Sequence, residues 1–225
     1  MAARERLSLR LLRRAAEIVA SASEPVEVGG VTAAVLLAAF EGADGQASVI
    51  LTRRSGLLVE DPGHVALPGG RLAHGEDPAD AALREAGEEV ALDVGCVEAV
   101  VPLGAYVRGA ARSGAVASVA AYAAFLTCRP ELVASEAEVE AIMEVPVAGL
   151  LLEDVAWQER WSSDAGLAHD VAFFASEAIL GEDLVWGLTA RILWTLLEAL
   201  GTVLGESDGV GAAPLQTSGG AVVGR

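Results

Sequence analysis

Hydrophobic residues follow two different periods along the chain, and the change of period separates helices from strands. Apolar residues recur at helical spacing, with arginines between them, over 7–22, and the same spacing returns over 184–204. Between these segments, apolar runs of strand length occupy 31–40, 48–53, 65–67, 97–107, 115–126 and 171–174. The pattern therefore predicts an α/β chain with a central sheet and helices at both ends.

One further helix is predicted between the third and fourth strands. Asp77 is a good N-cap, Pro78 suits the first helical position, and Asp80 places negative charge in the first turn, where the helix dipole favours it. Apolar residues continue at helical spacing as far as Val90. We therefore expect a helix over 78–90.

This helix carries three carboxylates on one face, because residues three and four apart lie on the same side. They belong to Glu85, Glu88 and Glu89, and only Arg84 lies close in sequence to offset them. Like charges at these spacings cost about 0.2–0.5 kcal/mol per pair. One interpretation is a solvated charged face; the other is a cation site, whose hard oxygen ligands would favour Mg²⁺ or Mn²⁺.

The flanking residues distinguish these two interpretations. Gly70 precedes Glu76 by six positions, the pair Arg84-Glu85 follows, and Glu88-Glu89 closes the pattern. This spacing resembles the Nudix box, the signature of the Nudix hydrolase family. The resemblance implies an α/β/α sandwich with a mixed sheet. Ala91 stands where that family has glycine, so a left-handed helix end there would cost about 1–2 kcal/mol.

The resemblance also implies roles for individual residues. Arg84 and Glu76 would form a pair that holds the loop against the helix and completes the catalytic set. The metal ligands would be the carbonyl of Gly70 and the side chains of Glu85, Glu88 and Glu89. The general base stays open between a glutamate of this cluster and a loop glutamate, Glu136 or Glu138. His64 and His74 are further alternatives as bases.

Two other segments are similar to the coenzyme A pyrophosphatase branch of the family. These are the stretch LTRRSGLLVEDPGHVALPGGR at 51–71 and the stretch VWGLTARIL at 185–193. The chain departs from that branch at Val59 and Asp61, where the branch has a basic residue and a histidine. The resemblance implies cleavage of coenzyme A or its thioesters into 3′,5′-ADP and 4′-phosphopantetheine or its acylated form.

Two alternatives to this substrate remain open at the level of sequence. Within the same chemistry, the substrate could be a nucleotide sugar, ADP-ribose or a dinucleotide. An alternative from another class is a binding module that keeps the fold and has lost catalytic activity. Ala91 and the departures within 51–71 favour this alternative.

Composition limits the partners. The formal net charge of −17 argues against nucleic acid and against an anionic membrane surface, because both attract basic proteins. The sequence contains no lysine, so phosphate groups would be held by arginine or by metal. The candidate substrate-binding residues are Arg53, Arg54, Arg71 and Arg108. A homodimer is left open.

The remaining sequence features predict domain limits and compartment. An N-terminal amphipathic helix is expected in 1–25, the Nudix domain in 26–204, and a disordered tail in 205–225. No signal peptide is recognised, so the cytoplasm is the expected compartment. Cys96 and Cys128 are too few for a disulfide framework and are predicted to be reduced core residues. Of two interpretations of Trp186, a core anchor and a base-stacking platform, the core anchor is the one we predict.

Overall fold

The computed structural model describes residues 7–26, 30–108, 117–162 and 168–208. Within these ranges the helices are α1 Leu9–Ala22, α2 Pro78–Val90, α3 Val147–Leu150, α4 Glu177–Leu180 and α5 Gly187–Asp208. The strands are β1 Ala33–Glu41, β2 Ala47–Arg54, β3 Val65–Ala66, β4 Gly69–Arg71, β5 Val97–Arg108, β6 Ala117–Leu126, β7 Val139–Pro146, β8 Ala156–Ser162, β9 Ala168–Ala175 and β10 Leu184–Trp186.

The first seven strands form one sheet around β1. The main path runs β3-β2-β1-β6-β5, while β4 pairs with β1 and β7 pairs with β2. The β1–β6 pair is parallel, with Ala33 opposite Val119, and the other pairs are antiparallel. The predicted mixed sheet is therefore confirmed.

Helices cover both faces of this sheet, because alternate residues of its buried strands point to opposite sides. On one face, Ala86 and Val90 of α2 pack with Leu36 and Phe40 of β1. On the other face, α1 and α5 pack against Leu37 and other buried apolar residues on that side of the sheet. This arrangement is the predicted α/β/α sandwich.

The N-terminal helix α1 is a packed part of this core. Its buried face consists of Leu12, Ala15, Ala16 and Val19, and the helix lies against α5 and β5. On its polar side, Nη1 of Arg13 lies 3.0 Å from a carboxylate oxygen of Glu98 at the start of β5. Arg13 of this helix therefore bonds to another element of the domain.

A second sheet, in the order β10-β9-β8, follows in the chain. The sequence pattern predicted only its middle strand, over 171–174. Trp157 and Trp161 lie in β8, in a region that had no predicted element, and Trp186 lies in β10 ahead of helix α5. Phe174 is fully buried and joins this sheet to the core beneath α5. The second sheet thus extends the sandwich on the α5 side.

The two cysteines form a disulfide, so the prediction of reduced, buried thiols was wrong. Cys96 and Cys128 are both half-buried, their Cα atoms are 5.9 Å apart, and they are bonded. The cause lies in the sheet: β5 and β6 are antiparallel with Val97 opposite Leu126, which brings the residues just outside this pair together. The disulfide closes the open end of that strand pair.

The last helix extends further than its sequence pattern indicated. Helix α5 continues to Asp208, four residues past the predicted helix end at 204. The rest of the predicted tail, 209–225, lies outside the described residues, and the domain limits stay predictions. Among the described helices, α5 alone is long and apolar enough to cross a membrane, over Gly187–Gly205, but half of that window is buried inside the protein, as in a core helix.

Candidate active site

Two glycines bring the backbone of β4 against its neighbours. Gly69 has φ 156°, and a side chain there would meet the Ala34 carbonyl and lie 2.6 Å from Val35 Cα. A Cβ at Gly70 would lie 2.6 Å from a carboxylate oxygen of Glu85. The run Pro68-Gly69-Gly70 is typical of a turn, whereas Gly69–Arg71 pairs with β1 as a strand. Glycine permits this close approach of β4 to the sheet and to helix α2.

Helix α2 has the predicted bounds, and both of its ends follow from local chemistry. The Asp77 side chain accepts a hydrogen bond of 2.8 Å from the Ala79 N–H, and Pro78 occupies the first helical position. At the other end, Ala91 adopts the left-handed conformation, with φ 55° and ψ 35°. The chain therefore copies the helix end that glycine would make easily, at the steric cost expected for alanine.

The three glutamates of α2 occupy different environments. Glu85 is partly buried beside Gly70, whereas Glu88 is exposed. Glu89 is 5% exposed, and its carboxylate accepts a 3.1 Å hydrogen bond from the Gly69 N–H. The sequence placed all three on one face. The structure shows one buried and one partly buried carboxylate near β4, whereas the third, that of Glu88, is exposed.

Burial dominates the chemistry of Glu89. Loss of water raises the pKa of its carboxyl to about 7, and the nearby charges of Glu138 and Glu85 act in the same direction. The hydrogen bond from Gly69 and the charge of Arg54 oppose this rise. A carboxylate held this way is stabilised by an added positive charge, since that charge would offset both the burial and the neighbouring carboxylates.

Arg84 forms the predicted pair with Glu76. Its Nε and Nη2 donate to the two carboxylate oxygens of Glu76 at 2.8 and 3.1 Å, and Nη2 also donates to the Arg71 carbonyl. These bonds, with one from the Ala73 N–H, lower the pKa of Glu76 to about 2 and raise that of Arg84 above its ordinary value. The pair fixes the loop 72–77 to the middle of α2.

The same guanidinium also links two of the candidate metal ligands. Nη1 of Arg84 lies 2.8 Å from a Glu85 oxygen and 3.1 Å from a Glu88 oxygen. Across the described ranges, no three His, Cys, Asp or Glu side chains already surround one point as metal ligands. The donor set nevertheless fits a hard divalent cation, because it consists of carboxylate oxygens with a glycine backbone alongside. Glu85 and Glu88 already share one cation, the guanidinium.

A loop after β6 brings another glutamate to the site. The N–H groups of Val133 and Ser135 donate to the last carbonyls of α2, at Val90 and Glu89. The loop then reaches Glu138, whose carbonyl accepts a 2.8 Å bond from the Ser55 N–H. Of the two loop glutamates predicted as bases, Glu138 is the one whose charge acts on Glu89.

The four candidate substrate arginines separate into different surroundings. Arg54 donates to the Glu60 carbonyl, and its charge reaches Glu89. Arg71 is exposed and lies 3.5 Å from a Glu60 carboxylate oxygen. The loop 55–64 therefore connects these two arginines. The sequence did not predict this connection, because nothing in it marks Glu60 as a partner of Arg54 and Arg71.

The structure gives no support to substrate binding by the other two arginines, Arg53 and Arg108. Arg53 donates two hydrogen bonds to Asp183, at 2.9 and 2.6 Å, and one of 3.4 Å to Glu140. Its guanidinium therefore holds the segment before β10 to β2, a structural role that the sequence did not indicate. Arg108 ends β5 opposite Ala117, and its side chain is outside the described part of the molecule.

The prediction that Trp186 anchors the core was wrong. Its side chain is exposed at the 39% level, and its ring lies 5.4 Å from the His64 ring, centroid to centroid. His74 is exposed in the loop before α2. The apolar spacing that continues into α5 suggested burial, but Trp186 lies in β10, before the helix begins.

Comparison with known proteins agrees with this geometry. A family model described as the NUDIX domain matches residues 30–165. Nudix hydrolase 22, chloroplastic, of Arabidopsis thaliana is 36% identical over 174 residues, which cover 75% of this chain and 55% of that protein. Nudix hydrolase 15, mitochondrial, of the same plant is 32% identical over 166 residues, covering 72% and 55%. The chain thus spans about half the length of these curated relatives.

A solved structure supports the fold. The MutT/nudix family protein from Enterococcus faecalis superposes with a TM-score of 0.51 at 20% identity, covering 88% of this chain and 78% of that one. At this identity the likeness concerns the fold alone. With a family model that covers more than half of its length, and with helix α2 at the bounds that the sequence predicts, the chain belongs to the Nudix family.

Proposed function

We propose that this chain is a Mg²⁺- or Mn²⁺-dependent pyrophosphohydrolase that cleaves the diphosphate bond of a nucleoside diphosphate linked to another group. The observation that carries the proposal is the meeting of Glu85 and the buried Glu89 with the glycine backbone of β4. A solvated charged face would not bury a carboxylate that lies beside two others.

The proposed cation ligands are the carbonyl of Gly70 and the side chains of Glu85, Glu88 and Glu89. A divalent cation held there supplies charge neutralisation at the diphosphate oxygens and acidifies a water molecule. Through its pairing with Glu76, Arg84 fixes the loop 72–77 to helix α2, so that the carboxylates of α2 keep their positions during turnover. Arg54 and Arg71 lie on the substrate side and bind phosphate oxygens.

The proposal assigns the proton acceptor to Glu138. This residue is exposed, so water reaches it, and its charge acts on Glu89. Backbone bonds to Ser55 and to the end of α2 fix its loop. We expect Glu138→Gln to lower kcat by about 10²–10⁴-fold, the usual contribution of a positioned base. Glu136→Gln, two residues away in the same loop, is the matched control and should retain activity; equal effects would overturn the assignment.

Coenzyme A and its thioesters are the favoured substrates within this class. The support is the similarity of 51–71 and 185–193 to the coenzyme A pyrophosphatase branch, together with Arg54 and Arg71 beside the site. The products would be 3′,5′-ADP and 4′-phosphopantetheine or its acylated form. Nucleotide sugars, ADP-ribose and dinucleotides are the competing substrates.

A product assay over a panel of diphosphates tests both levels of the proposal. Purified protein is incubated with coenzyme A, acetyl-coenzyme A, ADP-ribose, a nucleotide sugar and a dinucleotide in Mg²⁺ or Mn²⁺, and the products are separated. Release of 3′,5′-ADP from coenzyme A is the expected result. Selective cleavage of ADP-ribose would keep the hydrolase and reject the substrate, whereas a protein that binds metal and cleaves none of them is a binding module.

A further inference from the structure

The second sheet presents a row of aromatic side chains on one face. Trp186, Phe173 and Trp157 are direct cross-strand neighbours on β10, β9 and β8. Trp161 lies four residues after Trp157 on β8, so both side chains are on the same face of the sheet. Its ring also contacts that of Phe173, with the centroids 5.8 Å apart. The row starts at His64, whose ring meets Trp186. Three of the four tryptophans of the sequence therefore lie together on this face.

The tryptophans at the far end of this row are held by hydrogen bonds within the sheet. The indole N–H groups of Trp157 and Trp161 donate to the two carboxylate oxygens of Glu159, at 3.2 and 3.0 Å. Trp157 is also stacked on Phe173, with an angle of 15° between the rings. Trp186, at the other end of the row, is also partly exposed, and it differs in its tilted ring contact with His64, at 53°.

The Trp186 end of the row adjoins the candidate active site. The Arg54 N–H donates to the His64 carbonyl at 2.9 Å, and the charge of Arg54 reaches Glu89. The neighbouring residue on β2, Arg53, donates two hydrogen bonds to the carboxylate of Asp183, the residue just before β10. Two connections therefore hold Trp186 beside the arginine on the substrate side, one through His64 and one through Asp183.

We propose that Trp186 and His64 form a stacking platform for the nucleobase of the substrate, while its diphosphate lies at Arg54 and the carboxylates of α2. This inference rests on the proposed function and adds the place of the base. A flat aromatic surface beside a phosphate-binding arginine suits a planar base, because stacking uses the ring faces. Loss of one base-stacking ring weakens binding by about 5- to 150-fold.

Two phosphonate probes separate the base from the diphosphate. One is α,β-methylene-ADP, which the enzyme cannot cleave between its phosphorus atoms; the other is methylenebisphosphonate, which has the same bridge and no base. Calorimetric titration in Mg²⁺ should show that Trp186→Leu weakens binding of α,β-methylene-ADP by about 5- to 150-fold and leaves methylenebisphosphonate unchanged. Trp186→Phe, which keeps a ring, should retain most of the affinity.

Further variants keep the test decisive. Trp161→Ala removes an exposed ring at the end of the row away from His64 and should bind both probes as the parent does. His64→Ala lies outside the second sheet, so it reports on the platform if the Trp186 variants fail to fold, and it should weaken only α,β-methylene-ADP. The inference is overturned if the parent does not bind α,β-methylene-ADP, or if a folded Trp186→Leu binds it normally. It is also overturned if the Trp186 variants do not fold and His64→Ala binds it normally, or if both probes weaken equally.

The panel assay of turnover decides the proposed function independently. A parent that cleaves no diphosphate, but binds α,β-methylene-ADP through Trp186, would keep the platform and reject the hydrolase. A parent that cleaves diphosphates, with Trp186→Leu unchanged toward α,β-methylene-ADP, would keep the hydrolase and reject the platform.

Discussion

Replacing Glu89 by glutamine should change how stability depends on pH when no divalent metal is present. Burial raises the pKa of Glu89 to about 7 from an ordinary 4.5. A carboxyl whose pKa is raised in the folded state stabilises the fold below the unfolded-state pKa, and this contribution is lost as pH rises through the folded-state pKa. At 1.36 kcal/mol per unit, the parent should lose about 3 kcal/mol relative to Glu89→Gln between pH 4.5 and 7.5.

Urea unfolding in EDTA at several pH values measures this difference. Glu89→Gln and the parent should match near pH 4.5 and diverge as pH rises, with the variant more stable. Glu88→Gln is the control, because its carboxylate is exposed, and it should follow the parent. Adding Mg²⁺ should stabilise the parent more than Glu89→Gln. Parallel pH curves for the parent and Glu89→Gln would refute the claim that Glu89 is buried beside other carboxylates.

Three further predictions concern the surroundings of the site. Ala91→Gly should raise the free energy of unfolding by about 1 kcal/mol, since glycine adopts the positive φ without steric cost; an unchanged value in urea unfolding would contradict this. Cys128→Ser should lower it by about 2–4 kcal/mol, because the bond closes a loop between residues 32 apart, and a variant as stable as the oxidised parent would show that the disulfide does not form. Glu76 has its pKa lowered to about 2, so its pairing with Arg84 stabilises the fold above pH 4.5 and is lost toward pH 2. The parent should therefore lose more stability than Glu76→Gln over that acid range, as followed by circular dichroism, and equal losses would contradict the pairing.

Sequence alone predicted helix α2 because its signals are local. Asp77, Pro78 and Val90 each act within one or two turns, and the observed helix has the predicted bounds. The spacing that unites Glu85 and Glu89 is also local. Their unequal burial is not, since it depends on β4 crossing in front of the helix.

Features that depend on distant pairing escaped prediction. The disulfide joins Cys96 to Cys128 only because β5 and β6 are antiparallel in a particular register. Strands β8 and β10 owe their pairing to β9, and neither has an apolar run long enough to stand out. Trp186 was assigned to the core because the spacing of α5 continues into it, whereas Gly187 starts the helix with a positive φ of 68° and leaves Trp186 on the sheet.

The most direct test of the central claim is the rate of diphosphate cleavage with and without metal, in the parent and in Glu85→Gln. Coenzyme A is supplied as substrate, and 3′,5′-ADP is measured before EDTA, after EDTA, and after excess Mg²⁺ is restored. We predict that the parent loses activity in EDTA and regains it with Mg²⁺, and that Glu85→Gln is slower by about 10²–10³-fold in Mg²⁺. Cleavage that persists in EDTA, or a Glu85→Gln rate equal to that of the parent, would contradict a metal-dependent site on α2.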